Sequence, residues 1–350
     1  MSLYSALRPA FFLLPPEKAH RAAICMLQSG LGPRSTFTHP SLATSVAGLN
    51  FANPIGLSAG FDKNAECVDG ALAAGFGHVE IGTVTPLAQP GNPQPRLFRV
   101  TEHQAVINRL GFNNDGAENA VRHLRQRKGQ GIVGGNIGKN KESTDAVADY
   151  VTAMRALYPH VDYITANISS PNTPGLRALQ AGDELRALIK ALHATREELL
   201  ANQQIKPIFV KIAPDCDEAM LDAIAEVALN EKLDGLVVGN TTITRDTIAG
   251  HPLAGETGGL SGRPLFKRST EVLAAMHKRT QGKIPLIGVG GVSSANDAYI
   301  KIRAGASLVQ LYTALVYEGF GLPDRINRGL VQLLARDGFK NVGEAVGIWR

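Results

Sequence analysis

From about residue 50 onward, short runs of apolar and β-branched residues alternate with longer segments whose apolar positions recur every three or four residues. A brief unbroken apolar run between turn formers predicts a strand buried on both faces, and the longer spacing predicts an amphipathic helix. The runs are PIGLSA (54–59), HVEIG (78–82), GIVGGNI (131–137), VDYITANI (161–168), PIFVKI (207–212), DGLVVG (234–239), IPLIGVG (284–290) and ASLVQLY (306–312). Segments such as DELRALIKALHATREELLA and DEAMLDAIAEVAL supply helices between them. Eight strands in alternation with helices predict an α/β fold, a (β/α)8 TIM barrel, in preference to a doubly wound sheet.

Two long insertions interrupt this rhythm. Residues 83–113 contain PLAQPGNPQPRLFRV and QAVINRLGF, too proline-rich for a helix and suited to a hairpin over one barrel end. Residues 240–262, rich in Thr and Gly, follow the sixth strand, and long loops in compact domains are usually lids or binding loops. The first forty residues obey different rules. LYSALRPAFFLL and EKAHRAAICMLQSGL predict two short helices broken at Pro15 and Pro16, with Phe11, Phe12, Leu13 and Leu14 bunched beside basic residues. Such a pair suits either a cap on the barrel bottom or an amphipathic anchor in a membrane interface.

Composition narrows the classes. With 350 residues and 44% hydrophobic content the chain can build a sizeable core. Its apolar runs are too short to cross a bilayer, and Met1 is not followed by a signal-peptide pattern. Three widely separated cysteines, Cys25, Cys67 and Cys216, offer no C-x-x-C pair for a metal, a cluster or a disulfide framework. The formal charge of +5 suits an anionic substrate, an anionic membrane or RNA and does not choose among them.

Barrel enzymes carry their chemistry at the carboxyl ends of the strands. Polar residues recur there: Asp62, Lys63 and Asn64, then Thr83, Asn136, Asn167 with Ser170, Lys211, and Asn240 with Thr241. Unpaired buried polar groups are costly, so their convergence on one rim predicts a shared ligand. Glycine-rich stretches at 259–264, 288–294 and 304–313 suit a phosphate, because backbone N–H groups at such turns hold anions. GGNIGKN is not a nucleotide P-loop, since Val133 and Asn140 replace required residues.

The motifs NPIGLSAGFDKN, VEIGTVTPLAQPGNPQPRLFR, INRLGFNN, NIGKNK, NISSPNTPGLR, VKIAPD, NTT, TGGLSGRPL, GVGGV and GASLVQLYT resemble, in order and barrel position, those of the dihydroorotate dehydrogenases. The likeness is closest to the quinone-dependent class 2 branch, because SSPN stands where class 1 enzymes carry a cysteine-bearing loop. The resemblance implies oxidation of dihydroorotate to orotate, with one FMN as hydride acceptor and a membrane quinone as co-substrate. It implies Ser170 as the base, with Thr173 and Phe112 on the proton's exit path. It implies Lys63, Asn108, Arg109, Leu110, Gly111, Phe112, Asn167, Asn172, Asn240 and Thr241 around the substrate. Ala59, Gly60, Phe61, Asp62, Lys63, Thr83, Asn136, Asn167, Lys211, Gly239, Gly262, Gly291, Tyr312 and Thr313 fall at FMN-binding positions. Gly239 departs from the pattern, since many relatives carry Thr there.

By the same likeness, residues 1–40 form a quinone-tunnel and membrane-association segment and residues 41–350 the FMN-binding catalytic barrel. The implied partners are dihydroorotate, quinone and a membrane surface, not nucleic acid. The chain is expected as a monomer, peripheral on the cytoplasmic side of a bacterial inner membrane. The alternative is another FMN barrel, such as a tRNA dihydrouridine synthase.

Overall fold

The computed structural model describes residues 3–200 and 204–348. Eight parallel strands close into a barrel in chain order: β1 (Ile55–Leu57), β2 (His78–Val84), β3 (Ile132–Ile137), β4 (Tyr163–Asn167), β5 (Ile208–Ile212), β6 (Gly235–Val238), β7 (Leu286–Val289) and β8 (Ala306–Leu311). Register between Val309 and Ile55 joins the last strand to the first. Every residue of β2, β4, β5, β6 and β7 is buried, which is the physical reason for the unbroken apolar runs. β1 is shorter than its run because residues 58–60 already turn across the rim.

Three of the outer helices start where the sequence supplies a side-chain cap. Asp145 accepts the Ala148 N–H at the helix Ala146–Leu157, Asp217 that of Met220 at Glu218–Asn230, and Ser294 that of Asp297 at Ala295–Arg303.

The two barrel ends are closed differently. At the amino-terminal end an antiparallel hairpin, Thr44–Val46 with Leu49–Phe51, sets Val46 and Phe51 against Tyr163, Phe209, Ile287 and Leu308. At the other end the first insertion forms the expected hairpin, Leu97–Val100 with Ala105–Asn108. The second insertion adds Gly259–Gly262 as a third strand on that hairpin.

Helices α1 (Leu3–Phe12) and α2 (Pro16–Gln28) are separated at the expected prolines, and Pro16 occupies the first turn of α2, where its missing N–H costs nothing. They do not cap the barrel bottom, which the hairpin of residues 44–51 takes. The Tyr4 hydroxyl donates to the Val316 carbonyl at 2.7 Å and Arg8 to that of Tyr317 at 3.1 Å, so α1 docks beyond β8. Ile24 and Leu27 of α2 are buried, and Leu27 meets Gly70 so closely that a Cβ there would lie 2.3 Å from the Leu27 oxygen. Both helices therefore stand over the carboxyl ends of the strands. Among the described residues no helix is long and apolar enough to cross a membrane.

Candidate active site

One cavity of about 800 Å³ runs from the strand ends out between α1 and α2. Its inner half is polar. Ala59, Gly60, Phe61 and Lys63 line it after β1, Thr83 from β2, and Asn108, Leu110, Gly111 and Phe112 from the first insertion. Asn167 comes from the end of β4 and Ser170 and Asn172 from the loop after it, Lys211 from β5, Asn240 and Thr241 from the loop after β6, Gly262 from the strand Gly259–Gly262, and Gly291, Tyr312 and Thr313 from the turns after β7 and β8.

The remaining residues singled out in the sequence lie behind this wall. Asp62 is fully buried and accepts the Glu66 and Cys67 N–H groups at 2.8 Å each, so it shapes the loop. Burial raises its pKa above the usual carboxylate range, against those two donors. Arg109 turns outward to Glu256 at 2.6 Å and stacks on Phe98. Asn136 is buried between Thr83 and Glu80, and Thr173 and Gly239 are likewise absent from the lining.

The loop after β4 is held from several sides, which places Ser170. Arg177 donates to the Ser169 carbonyl at 3.0 Å, to Asp215 at 2.9 Å and to the Thr241 carbonyl at 3.2 Å, tying together the loops after β4, β5 and β6. Asn172 Nδ2 donates to the Asn108 carbonyl at 3.1 Å. Ser170 Oγ, itself buried, accepts the Asn172 N–H at 3.2 Å, a contact that favours negative charge on that oxygen.

Electrostatically the inner half is cationic. Lys211 is buried, and its ammonium donates to Ser58 Oγ at 3.3 Å, which leaves N–H groups for a ligand. Loss of hydration lowers its pKa, opposed by the charge of Glu80. Lys63, half-buried, is pushed down to about 8 by loss of hydration, against the pull of Glu17. Thr241 Oγ1 is buried without a hydrogen-bond partner among the described residues, a hydroxyl that a bound ring would satisfy.

These residues fit FMN and a small anionic ring beside it. The donor set suits a flavin edge and a phosphate, and Gly291, at φ +75°, brings backbone so close to Phe266 that a Cβ would sit 2.6 Å from it.

The outer half is different in kind. Leu7, Phe11, Ala19, Ala23, Met26 and Leu31 make it largely apolar, with Arg99, Tyr317 and His20 among its polar exceptions. His20 packs edge-on against Phe61 and lies 3.3 Å from the Tyr312 hydroxyl; loss of hydration pushes it down to about 3, so it is neutral at physiological pH. The sequence singled out none of Arg177, Ser58, Glu80, His20 or Arg99. An arginine ten residues past a strand, or a glutamate inside an apolar run, carries no local signal of its partners.

A closed barrel with a cationic, amide-rich rim opening into an apolar channel defines a (β/α)8 barrel with a ligand-binding site at the carboxyl ends of its strands. The dihydroorotate dehydrogenase family model matches residues 41–334. A Rhizobium rhizogenes protein named dihydroorotate dehydrogenase (quinone) is 54% identical over 339 residues, 96% of this chain and 94% of the relative. One of the same name from Parvibaculum lavamentivorans is 53% identical over 349 residues, covering 99% of each. The crystal structure of DHODH from Eimeria tenella in complex with ferulenol superposes with a TM-score of 0.92 at 39% identity, over 95% of both chains. The chain belongs to the dihydroorotate dehydrogenase family.

Proposed function

We propose that this chain oxidises (S)-dihydroorotate to orotate in the synthesis of UMP, with one FMN per chain as hydride acceptor and a membrane quinone as final electron acceptor. The observation that carries this reading is a single cavity joining Ser170, two lysines and a set of amides to an apolar channel. FMN, when bound, supplies acceptance of the C6 hydride and release of its electrons to quinone.

The protein's own part begins at C5. Ser170 Oγ takes the C5 proton, and the Asn172 N–H eases the charge that develops on it. Thr173, buried next to this turn, and the ring of Phe112 line the way out for that proton. Asn108, Asn167, Asn172, Asn240 and Thr241 match the ring's carbonyl and N–H groups. Lys63 faces the carboxylate, and Lys211 holds positive charge where the cofactor gains electrons. Asp62, Asn136 and Gly239 act from behind the lining, and Arg109 through its backbone.

Residues 1–40 form the quinone entrance and 41–350 the catalytic barrel. Leu7, Leu13, Leu14 and Leu31 are exposed on that entrance, at 47%, 87%, 40% and 79%, an apolar surface suited to lipid. The chain works as a monomer, peripheral on the cytoplasmic face of a bacterial inner membrane.

The direct test is the colour of the purified protein. It contains stoichiometric FMN, bleaches anaerobically with dihydroorotate and recolours with a quinone. A colourless protein, or a yellow one indifferent to dihydroorotate, contradicts the reading.

A pH effect follows from Lys63. Its charge is present below a pKa of about 8 and is lost above it, so KM for dihydroorotate rises as pH passes 8, approaching about tenfold per unit. In Lys63→Met the KM is high throughout and this pH dependence is gone. Steady-state KM between pH 6 and 9.5 checks both.

A further inference from the structure

A continuous chain of hydrogen bonds links the floor of the barrel to the rim. Glu80, in the middle of β2 and fully buried, accepts four donors: Asn136 Nδ2 at 2.7 Å on one oxygen, and Tyr163 at 3.2 Å, Thr165 at 3.1 Å and Gln310 at 2.9 Å on the other. Because Asn136 donates downward, its Oδ1 faces up and accepts from Thr83 Oγ1 at 2.6 Å. Thr83 thereby has its hydrogen committed, and its lone pairs accept Asn167 Nδ2 at 2.9 Å. Asn167 Oδ1 then accepts both the hydroxyl of Ser169, at 2.7 Å, and its backbone N–H, at 3.2 Å. Asn240 Nδ2 donates to Ser169 Oγ at 2.7 Å, and Asn240 Oδ1 accepts the Thr241 N–H at 2.7 Å.

The chain is pinned at both ends. Backbone N–H groups, which can only donate, fix the upper amides; four donors fix the lower carboxylate. Both ends demand the same direction. As a result one N–H of Asn167 and one of Asn240 are left over, on side chains that line the cavity.

We infer that Glu80 is a positioning residue for the substrate: acting through Asn136 and Thr83, it holds Asn167, and through Ser169 also Asn240, with N–H groups toward the ring carbonyls of the pyrimidine. This deepens the proposed reaction and rests on it. Glutamine at position 80 keeps the shape but reverses one end. Its oxygen stays with the three donors, and its amide then faces Asn136 with hydrogens. Asn136 must flip, and Thr83 receives two donors while its own hydrogen loses its acceptor. The conflict lands on the hydroxyl that steadies Asn167.

The test is a double-mutant cycle on orotate affinity, read from perturbation of the flavin spectrum in the holoprotein. Glu80→Gln and Thr83→Val each weaken orotate by about tenfold, yet the double variant is within about twofold of the weaker single, because removing the hydroxyl removes the conflict. Tyr163→Phe takes a donor from the same carboxylate without touching the chain, and leaves orotate affinity within about twofold of the unaltered protein. Losses that multiply, or an equal loss in Tyr163→Phe, overturn the inference. Should Glu80→Gln not fold, Thr83→Ser, which keeps the hydroxyl, must hold orotate where Thr83→Val does not, and equal losses in the two overturn it. An unaltered protein that neither binds orotate nor bleaches with dihydroorotate overturns the substrate reading and this inference with it. Tight binding with multiplying losses overturns this inference alone.

Discussion

Replacing Ser170 with Ala slows reduction of the flavin by dihydroorotate by about 10²–10⁴-fold, the range for loss of a positioned general base. The protein should still fold and keep its FMN, because Ser170 Oγ gives the loop one bond, from the Asn172 N–H, among the described residues, while Arg177 and Asn172 hold that loop by other bonds. Serine is a weak base at neutral pH, so its rate in the unaltered protein rises with pH as its proton is more readily given up. In the alanine variant that rise disappears along with the rate. Anaerobic stopped-flow reduction across pH 6 to 10 separates the two cases, and reduction unchanged at every pH removes Ser170 from the chemistry.

Deleting residues 1–14 should split the reaction in two. The inner half of the cavity is built from the barrel, so flavin reduction by dihydroorotate stays within about twofold of the full chain. The channel wall loses Tyr4, Leu7, Phe11 and Phe12. A long-tailed quinone then leaves apolar surface in water at about 0.8 kcal/mol per methylene, so four methylenes correspond to a loss of about 10²-fold. A short, water-soluble quinone has little tail to lose and is affected far less. The cut stops before α2 because Ile24 and Leu27 belong to the core; removing all forty residues would open the barrel wall as well as the channel. Among the described residues, the groups freed by the deletion include the backbone carbonyls of Val316 and Tyr317 and the guanidinium of Arg99, which gives up the Phe12 and Leu14 carbonyls; water satisfies them. Equal loss with both quinones contradicts the channel.

The barrel was legible because a strand buried on both faces leaves an unbroken apolar run, and all eight runs coincide with strands to within a few residues. The small strands were not. Thr44–Val46 and Leu49–Phe51 span three residues each, too few to set up a period. Gly259–Gly262 is a glycine-rich tetrapeptide that reads as a phosphate turn, yet its edge is paired with Ala105–Asn108. The position of α1 and α2 was open for a different reason. Their amphipathic pattern states that one face is covered but not by which end of the barrel.

At the site, motif resemblance located the rim, whereas the direction each side chain takes depends on tertiary partners. Asn136 sits at a strand end like Asn167, but its amide is spent on Glu80 and Thr83 and it stays behind the wall. Arg109 follows Asn108 in sequence and points the opposite way, to Glu256. Glu80 was invisible as a functional residue, because one carboxylate within HVEIG says nothing of the four donors that three other strands bring to it.

The central claim is that Ser170 and the flavin face opposite sides of one bound ring. A crystal structure of the FMN-loaded protein with orotate measures it directly. Ser170 Oγ should lie within about 3.5 Å of ring carbon C5, with the isoalloxazine stacked on the other face of orotate and Lys211 at its pyrimidine edge. Orotate bound with Ser170 on the flavin side, or too far for Oγ to reach C5, would contradict the account.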